Sequence, residues 1–267
     1  MLAGGGRPSH NCGLRHDAQQ VSQPLPWYAH AHGNTRCRRR KPLLDSGADE
    51  TAGRGYLAVP ESGRGPGVLV LHAWWGLTPF FRGLCDRLAG EGFVALAPDL
   101  YGGPTAATVE DAERLMGEQE FPQMHRRATL AVDRLQEHSA VAGDKLGVIG
   151  FSMGAAWAVT LSTEMPDAVA AVVLYYGAAG GDFNAAHASY QGHFAEVDEW
   201  EPREGVREME ADMRAAGREV TIHLYPEAGH WFFEDNHPES YHAESATLAW
   251  ERTVRFLRGQ LAPPRDG

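Results

Sequence analysis

The sequence predicts an α/β fold, a mostly parallel twisted sheet with helices on both faces. Three observations carry this. Short apolar runs of strand length alternate with longer helical stretches from about residue 55 to residue 261. The runs are apolar throughout, as in strands buried on both faces, with no alternation of apolar and polar residues. The 267 residues, 43% of them hydrophobic, are enough for one domain of this type with sequence to spare. No internal repeat interrupts the pattern.

The elements follow in order. Residues 1–54 carry Gly4-Gly5-Gly6, Pro24, Pro26 and the basic run Arg36-Cys37-Arg38-Arg39-Arg40-Lys41, with neither helical nor strand periodicity. They read as a disordered N-terminal extension, or as the product of a misassigned start, with the basic run a solvated arm. Gly67 to His72 reads as a buried strand. Residues 79–91 read as a helix closed by Gly92. Phe93 to Ala97 is a second strand, stopped by Pro98-Asp99. Helices over 108–118 and 122–138 come next, then a strand from Lys145 to Gly150 and a helix over 153–165. Strands over 169–176 and 189–195, a helix over 203–216, a strand over 219–225 and a helix over 239–259 complete the domain. Residues 262–267 are a tail.

Bulk properties exclude some function classes. The formal net charge of −11 makes nucleic acid and anionic membrane surfaces poor partners. Cys12, Cys37 and Cys85 show neither CxxC pairing nor metal-ligand spacing, and their odd number argues against a disulfide framework. No apolar run is long enough to span a bilayer, and the first thirty residues lack the apolar core of a secretory signal. The expectation is a cytoplasmic protein acting on a small molecule, as a monomer or small homo-oligomer.

The chemistry centres on Gly150-Phe151-Ser152-Met153-Gly154, set between the apolar strand Leu146-Gly147-Val148-Ile149 and the small-residue helix Ala155-Ala156-Trp157-Ala158. A serine nucleophile must project from a sharp strand-to-helix turn. Glycines two before and two after it let neighbouring backbone approach closely. The following helix aims its N-terminal amides at the site, where they favour a developing anion. The competing reading is a glycine-rich turn with an ordinary N-cap serine; the strand before and the helix after favour the nucleophile.

A serine hydroxyl needs a base. Glu227-Ala228-Gly229-His230 follows the strand Val220 to Tyr225, so His230 lies in a loop at a strand's C-terminal end, where α/β sheets place their sites. His187, His193, His223, His237 and His242 are less well placed and read as structural or solvated. The acid that orients the base should end the preceding strand. Of the carboxylates in Glu196-Val197-Asp198-Glu199-Trp200-Glu201, Asp198 follows that strand by the right interval and would fix the imidazole tautomer. Glu196, Glu199 and Glu201 read as solvated or helix-start acids. An oxyanion hole needs two backbone amides; that of Met153 is one, and that of Trp74, in Ala73-Trp74-Trp75-Gly76, is expected as the other. The tryptophan rings are expected to wall an apolar pocket or simply to pack.

These residues carry a resemblance. Tyr56 to Pro60, Val68 to Gly76, Glu91 to Ala95 with Pro98-Asp99-Leu100-Tyr101, Gly147 to Gly154, Tyr175-Tyr176-Gly177, Ala195 to Pro202 and Glu227 to His230 resemble the dienelactone hydrolase family of the α/β-hydrolase superfamily. The resemblance implies hydrolysis of a carboxylic ester or lactone with no metal or organic cofactor, and supports Ser152, Asp198 and His230 as nucleophile, acid and base. It also implies departures. The type enzymes have cysteine at the position of Ser152 and a glutamate at that of Ala73. They hold a substrate carboxylate with two arginines, where this chain has Gly103 and Glu234. Trp75, Tyr101 and Glu234 are the expected pocket residues, and a glutamate there is expected to repel a carboxylate. A neutral ester or lactone is the expected substrate. An acyltransferase using the same triad and a non-catalytic ligand-binding homologue are the alternatives.

Overall fold

The computed structural model describes residues 54–262. The expectations for residues 1–53 and 263–267 lie outside the described residues. One sheet of seven strands organises the chain: β1 (Gly55–Ala58), β2 (Gly67–Leu71), β3 (Val94–Pro98), β4 (Leu146–Phe151), β5 (Val169–Tyr175), β6 (Ser189–Ala195) and β7 (Val220–Tyr225). Their spatial order is β1-β3-β2-β4-β5-β6-β7. Every pairing is parallel except that of β1 with β3.

The apolar runs fill the middle of the sheet. β2 (GVLVL) and β4 (LGVIGF) are buried at every position, as strands covered on both faces must be. The helices are α1 (Pro79–Gly90), α2 (Val109–Gly117), α3 (Phe121–Glu137), α4 (Met153–Glu164), α5 (Arg203–Ala215) and α6 (Ala243–Gln260). Pro79 opens α1 where its missing N–H is not needed. Thr108 caps α2 by accepting from the Asp111 N–H. α4 (MGAAWAVTLSTE) is nearly devoid of charge and packs against β4, β5 and α3, which its composition requires.

Three sequence expectations change. Gly55–Ala58 is a strand, antiparallel on the sheet edge, where the sequence suggested only the onset of order; four residues with an alternating exposed pattern leave too short a signal. β7 is a half-exposed edge strand, with Thr221 and Leu224 facing solvent, so it is not a fully buried one. α6 begins at Ala243 instead of residue 239, because His242 caps it: its side chain accepts from the Ser245 N–H.

A buried polar cluster ties the last strands to α6. His193 is fully buried; its Nδ1 lies 2.7 Å from Tyr225 Oη and its Nε2 3.1 Å from Thr253 Oγ1 on α6. Tyr175 Oη lies 2.7 Å from the same Thr253 oxygen. Burial, chiefly, pushes the His193 pKa well down, so the ring is neutral and structural. No helix among the described residues is long and apolar enough to cross a membrane.

Candidate active site

Three C-terminal strand ends converge on one site. Ser152 follows β4 directly, Asp198 lies three residues past β6, and His230 five past β7. Ser152 holds the strained angles φ 49°, ψ −114°, a conformation that costs a non-glycine residue about 1–3 kcal/mol. Its N–H is tied down by the Tyr175 carbonyl at 2.9 Å. The flanking glycines are dictated by space. A Cβ on Gly150 would lie 2.3 Å from the Gly154 carbonyl oxygen, and one on Gly154 would lie 2.2 Å from that of Leu71.

The imidazole of His230 bridges the other two residues. Its Nε2 is 3.1 Å from Ser152 Oγ, and its Nδ1 is 2.8 and 3.0 Å from the two oxygens of Asp198. Asp198 Oδ1 also accepts from the N–H groups of Trp200 and Glu201, at 2.8 and 2.9 Å. Three donors therefore fix the plane of the carboxylate. The His230 and Asp198 side chains are only 6% and 2% exposed. With Nδ1 donating to a carboxylate, Nε2 is left as the acceptor for the serine hydroxyl. Met153 begins α4, and neither its N–H nor that of buried Trp74 meets an acceptor among the described residues.

The expected pocket residues sit differently. Trp75 is buried between the rings of His237, at 4.4 Å, and Trp231, at 5.2 Å. Trp74 and Trp231 pack on it, Trp200 packs on both of those, and Trp200 and Trp231 lie beside His230. Tyr101 is buried, its hydroxyl 3.3 Å from Met153 Sδ. Glu234 is fully buried, and its Oε1 accepts from Tyr176 Oη at 2.8 Å. The Tyr176 ring in turn lies 5.0 Å from that of His230. Glu234 thus stands behind the imidazole. Burial pushes its pKa up to about 8, which favours the uncharged acid at neutral pH and weakens the expected repulsion of a carboxylate.

Glu201 also departs from expectation. It is neither solvated nor a helix-start acid: its Oε2 accepts from the Ala178 N–H at 2.8 Å, and burial pushes its pKa up to about 8. Glu196 and Glu199 are exposed, as expected. Of the other histidines, His237 is buried on Trp75, His223 stacks on His193 and His187 lies at the surface near Asp167. Sequence reasoning missed Tyr176, whose positive φ of 39° stands out only in the folded chain; its one signal was its place in Tyr175-Tyr176-Gly177.

Comparisons with known proteins identify the family. The family model described as "Dienelactone hydrolase family" matches residues 54–261. "Protein usf" of Aquifex pyrophilus is 34% identical over 217 residues, covering 78% of this chain and 94% of its own. A relative from Aquifex aeolicus (strain VF5), named "Putative carboxymethylenebutenolidase", is 32% identical with the same coverage. The crystal structure of a Klebsiella pneumoniae subsp. pneumoniae MGH 78578 protein described as a "Putative Dienelactone Hydrolase" superposes with a TM-score of 0.66 at 27% identity. It covers 76% of this chain and 91% of that one. With the family model matched across residues 54–261 and the sheet of an α/β-hydrolase beneath it, the chain belongs to the dienelactone hydrolase family.

Proposed function

We propose that this hydrolase cleaves a neutral carboxylic ester or lactone through an acyl-enzyme on Ser152. The observation that carries the reading is the continuous chain from Ser152 Oγ through His230 to Asp198, at 3.1 and 2.8 Å. His230 Nε2 takes the serine proton as Oγ attacks the carbonyl carbon. Asp198 stabilises the imidazolium that results. The N–H groups of Met153 and Trp74 hold the oxyanion. The imidazolium then protonates the leaving alkoxide, and water, deprotonated by the same ring, cleaves the acyl-enzyme. A serine here relies wholly on its base, which fits Ala73 standing where relatives that use a thiol carry a glutamate.

Neutrality of the substrate is supported by Gly103 and Glu234. Neither supplies a cation at the positions where the resemblance places carboxylate-holding arginines. In the proposed site, neutral short-chain esters and lactones are turned over with kcat/KM at least about tenfold above carboxylate-bearing lactones.

The test is Ser152→Ala. Hydrolysis of p-nitrophenyl acetate falls by at least about 10³-fold, and labelling by a fluorophosphonate probe disappears, while the circular dichroism spectrum is unchanged. Full activity in the variant overturns the reading.

A further inference from the structure

The structure assigns His72 a positioning role: its imidazole holds the Ala73–Trp74 peptide in the orientation that presents the Trp74 N–H to the oxyanion. The inference rests on the reading of Trp74 proposed above.

His72 follows β2 directly and is fully buried. Its Nδ1 lies 2.7 Å from the Ala73 carbonyl oxygen, and its Nε2 accepts from the Leu100 N–H at 3.1 Å. A ring nitrogen that accepts from an N–H carries no proton of its own. In the neutral imidazole the proton is therefore on Nδ1, which donates to the Ala73 oxygen. Burial favours that neutral ring and pushes the His72 pKa down.

Holding the Ala73 carbonyl has a consequence one atom along. In a trans peptide the C=O and the N–H point to opposite sides of the C–N bond. A carbonyl turned toward the buried His72 ring sends the Trp74 N–H the other way. Rotation of this peptide would replace a donor with a carbonyl oxygen, which repels a developing oxyanion. The Gly76 N–H grips the same carbonyl more loosely, at 3.2 Å.

The clamp is itself anchored. Leu100, the donor to Nε2, has its carbonyl held by Arg127 Nη1 at 2.8 Å. Asp99 Oδ1 accepts from the N–H groups of Tyr101 and Gly102, fixing the same loop. The Tyr101 ring packs edge-on against His72, centroids 5.2 Å apart, and its hydroxyl reaches Met153 Sδ. One imidazole thus links the loop carrying Trp74 to the loop that touches Met153, the other expected oxyanion donor, without itself touching substrate.

The experiment compares His72→Gln with His72→Asn. The amide nitrogen of asparagine falls near the place of Nδ1 and keeps the donor to Ala73, whereas glutamine reaches the place of Nε2 and keeps only the Leu100 bond. His72→Gln is expected to lower kcat on p-nitrophenyl acetate by about 10- to 100-fold, with KM within about threefold, and His72→Asn to recover most of that loss. A wild-type kcat in His72→Gln, or an equal loss in His72→Asn, overturns the inference. The Ser152→Ala control in the same assay separates the two claims. If it abolishes turnover while His72→Gln does not lower it, only the role of His72 falls. A wild-type protein inactive on esters overturns the underlying reading and this inference with it. Should His72→Gln fail to fold, imidazole ¹⁵N shifts of the wild-type protein decide. A proton on Nδ1 with bare Nε2 is expected, and the opposite tautomer overturns the proposal.

Discussion

At the scale of single residues, Asp198 shows how a side chain is selected by what surrounds it. Its Oδ1 receives two backbone N–H groups and shares the imidazole Nδ1 with Oδ2. An amide in its place cannot accept on both sides. Asp198→Asn either points its NH₂ at the N–H groups of Trp200 and Glu201 or points it at His230, forcing the wrong tautomer. We expect kcat to fall by about 10³- to 10⁴-fold with little change in KM, read by steady-state kinetics; a loss under tenfold would show that the orientation of His230 is secured elsewhere. Ser152, Asp198 and His230 were legible in the sequence because each sits just past a strand whose apolar run is unmistakable, in an order the fold prescribes. Glu201, Glu234, Tyr176 and His72 were not. Their roles come from burial and from partners 23 to 58 positions away in sequence, as in Glu201 with Ala178, His72 with Leu100 and Tyr176 with Glu234; only the bond of His72 to Ala73 is local, and no local pattern encodes the rest.

At the scale of elements, two glycines with the same letter have opposite meanings. Gly154 lies in the first turn of α4 where it crosses the end of β2, and a methyl group there would meet the Leu71 carbonyl at 2.2 Å. Gly83 lies inside α1 with nothing within 4 Å of a Cβ. Gly154→Ala must push α4 off the sheet, so it is expected to destabilise by about 3 kcal/mol or more, or to leave the protein insoluble. Gly83→Ala is expected to stabilise by about 0.5–1 kcal/mol, by reducing the freedom of the unfolded chain. Urea melts of the two variants check both, and similar melting for the two would show that the elbow has slack. The sequence marked Gly154 because its motif needs close backbone approach. It gave no comparable reading of β1 or of the exposure of β7, since a four-residue edge strand and a half-covered face depend on what the rest of the sheet leaves open.

At the scale of the whole molecule, the site's buried acids tie folding stability to pH. Glu234 has an ordinary value of 4.5 when exposed and about 8 in the folded chain, chiefly through burial. Between those values the native state keeps a proton that the unfolded chain has released, so stability falls as pH rises, by up to about 1.4 kcal/mol per pH unit from this one group. The fall ends above about pH 8, where both states have lost the proton. Glu201 is shifted in the same direction, also up to about 8 and chiefly through burial. His193 acts oppositely at lower pH: the unfolded chain takes up a proton that the buried ring refuses, so stability rises as pH climbs through the ordinary histidine range. A single stability curve therefore mixes the groups, and the difference between two curves separates them. Glu234→Gln keeps an acceptor for Tyr176 Oη and cannot ionise. Its amide nitrogen would take the place of Oε2, which has no partner among the described residues, so a constant offset from wild type carries no information. The slope of the difference does. Denaturant melts at pH 5, 6, 7, 8 and 9 should show the variant gaining steadily on the wild type, with the gap levelling off beyond pH 8. Parallel curves over that range would mean that Glu234 is already ionised in the folded protein. The repulsion of a carboxylate-bearing substrate expected from a charged Glu234 would then stand.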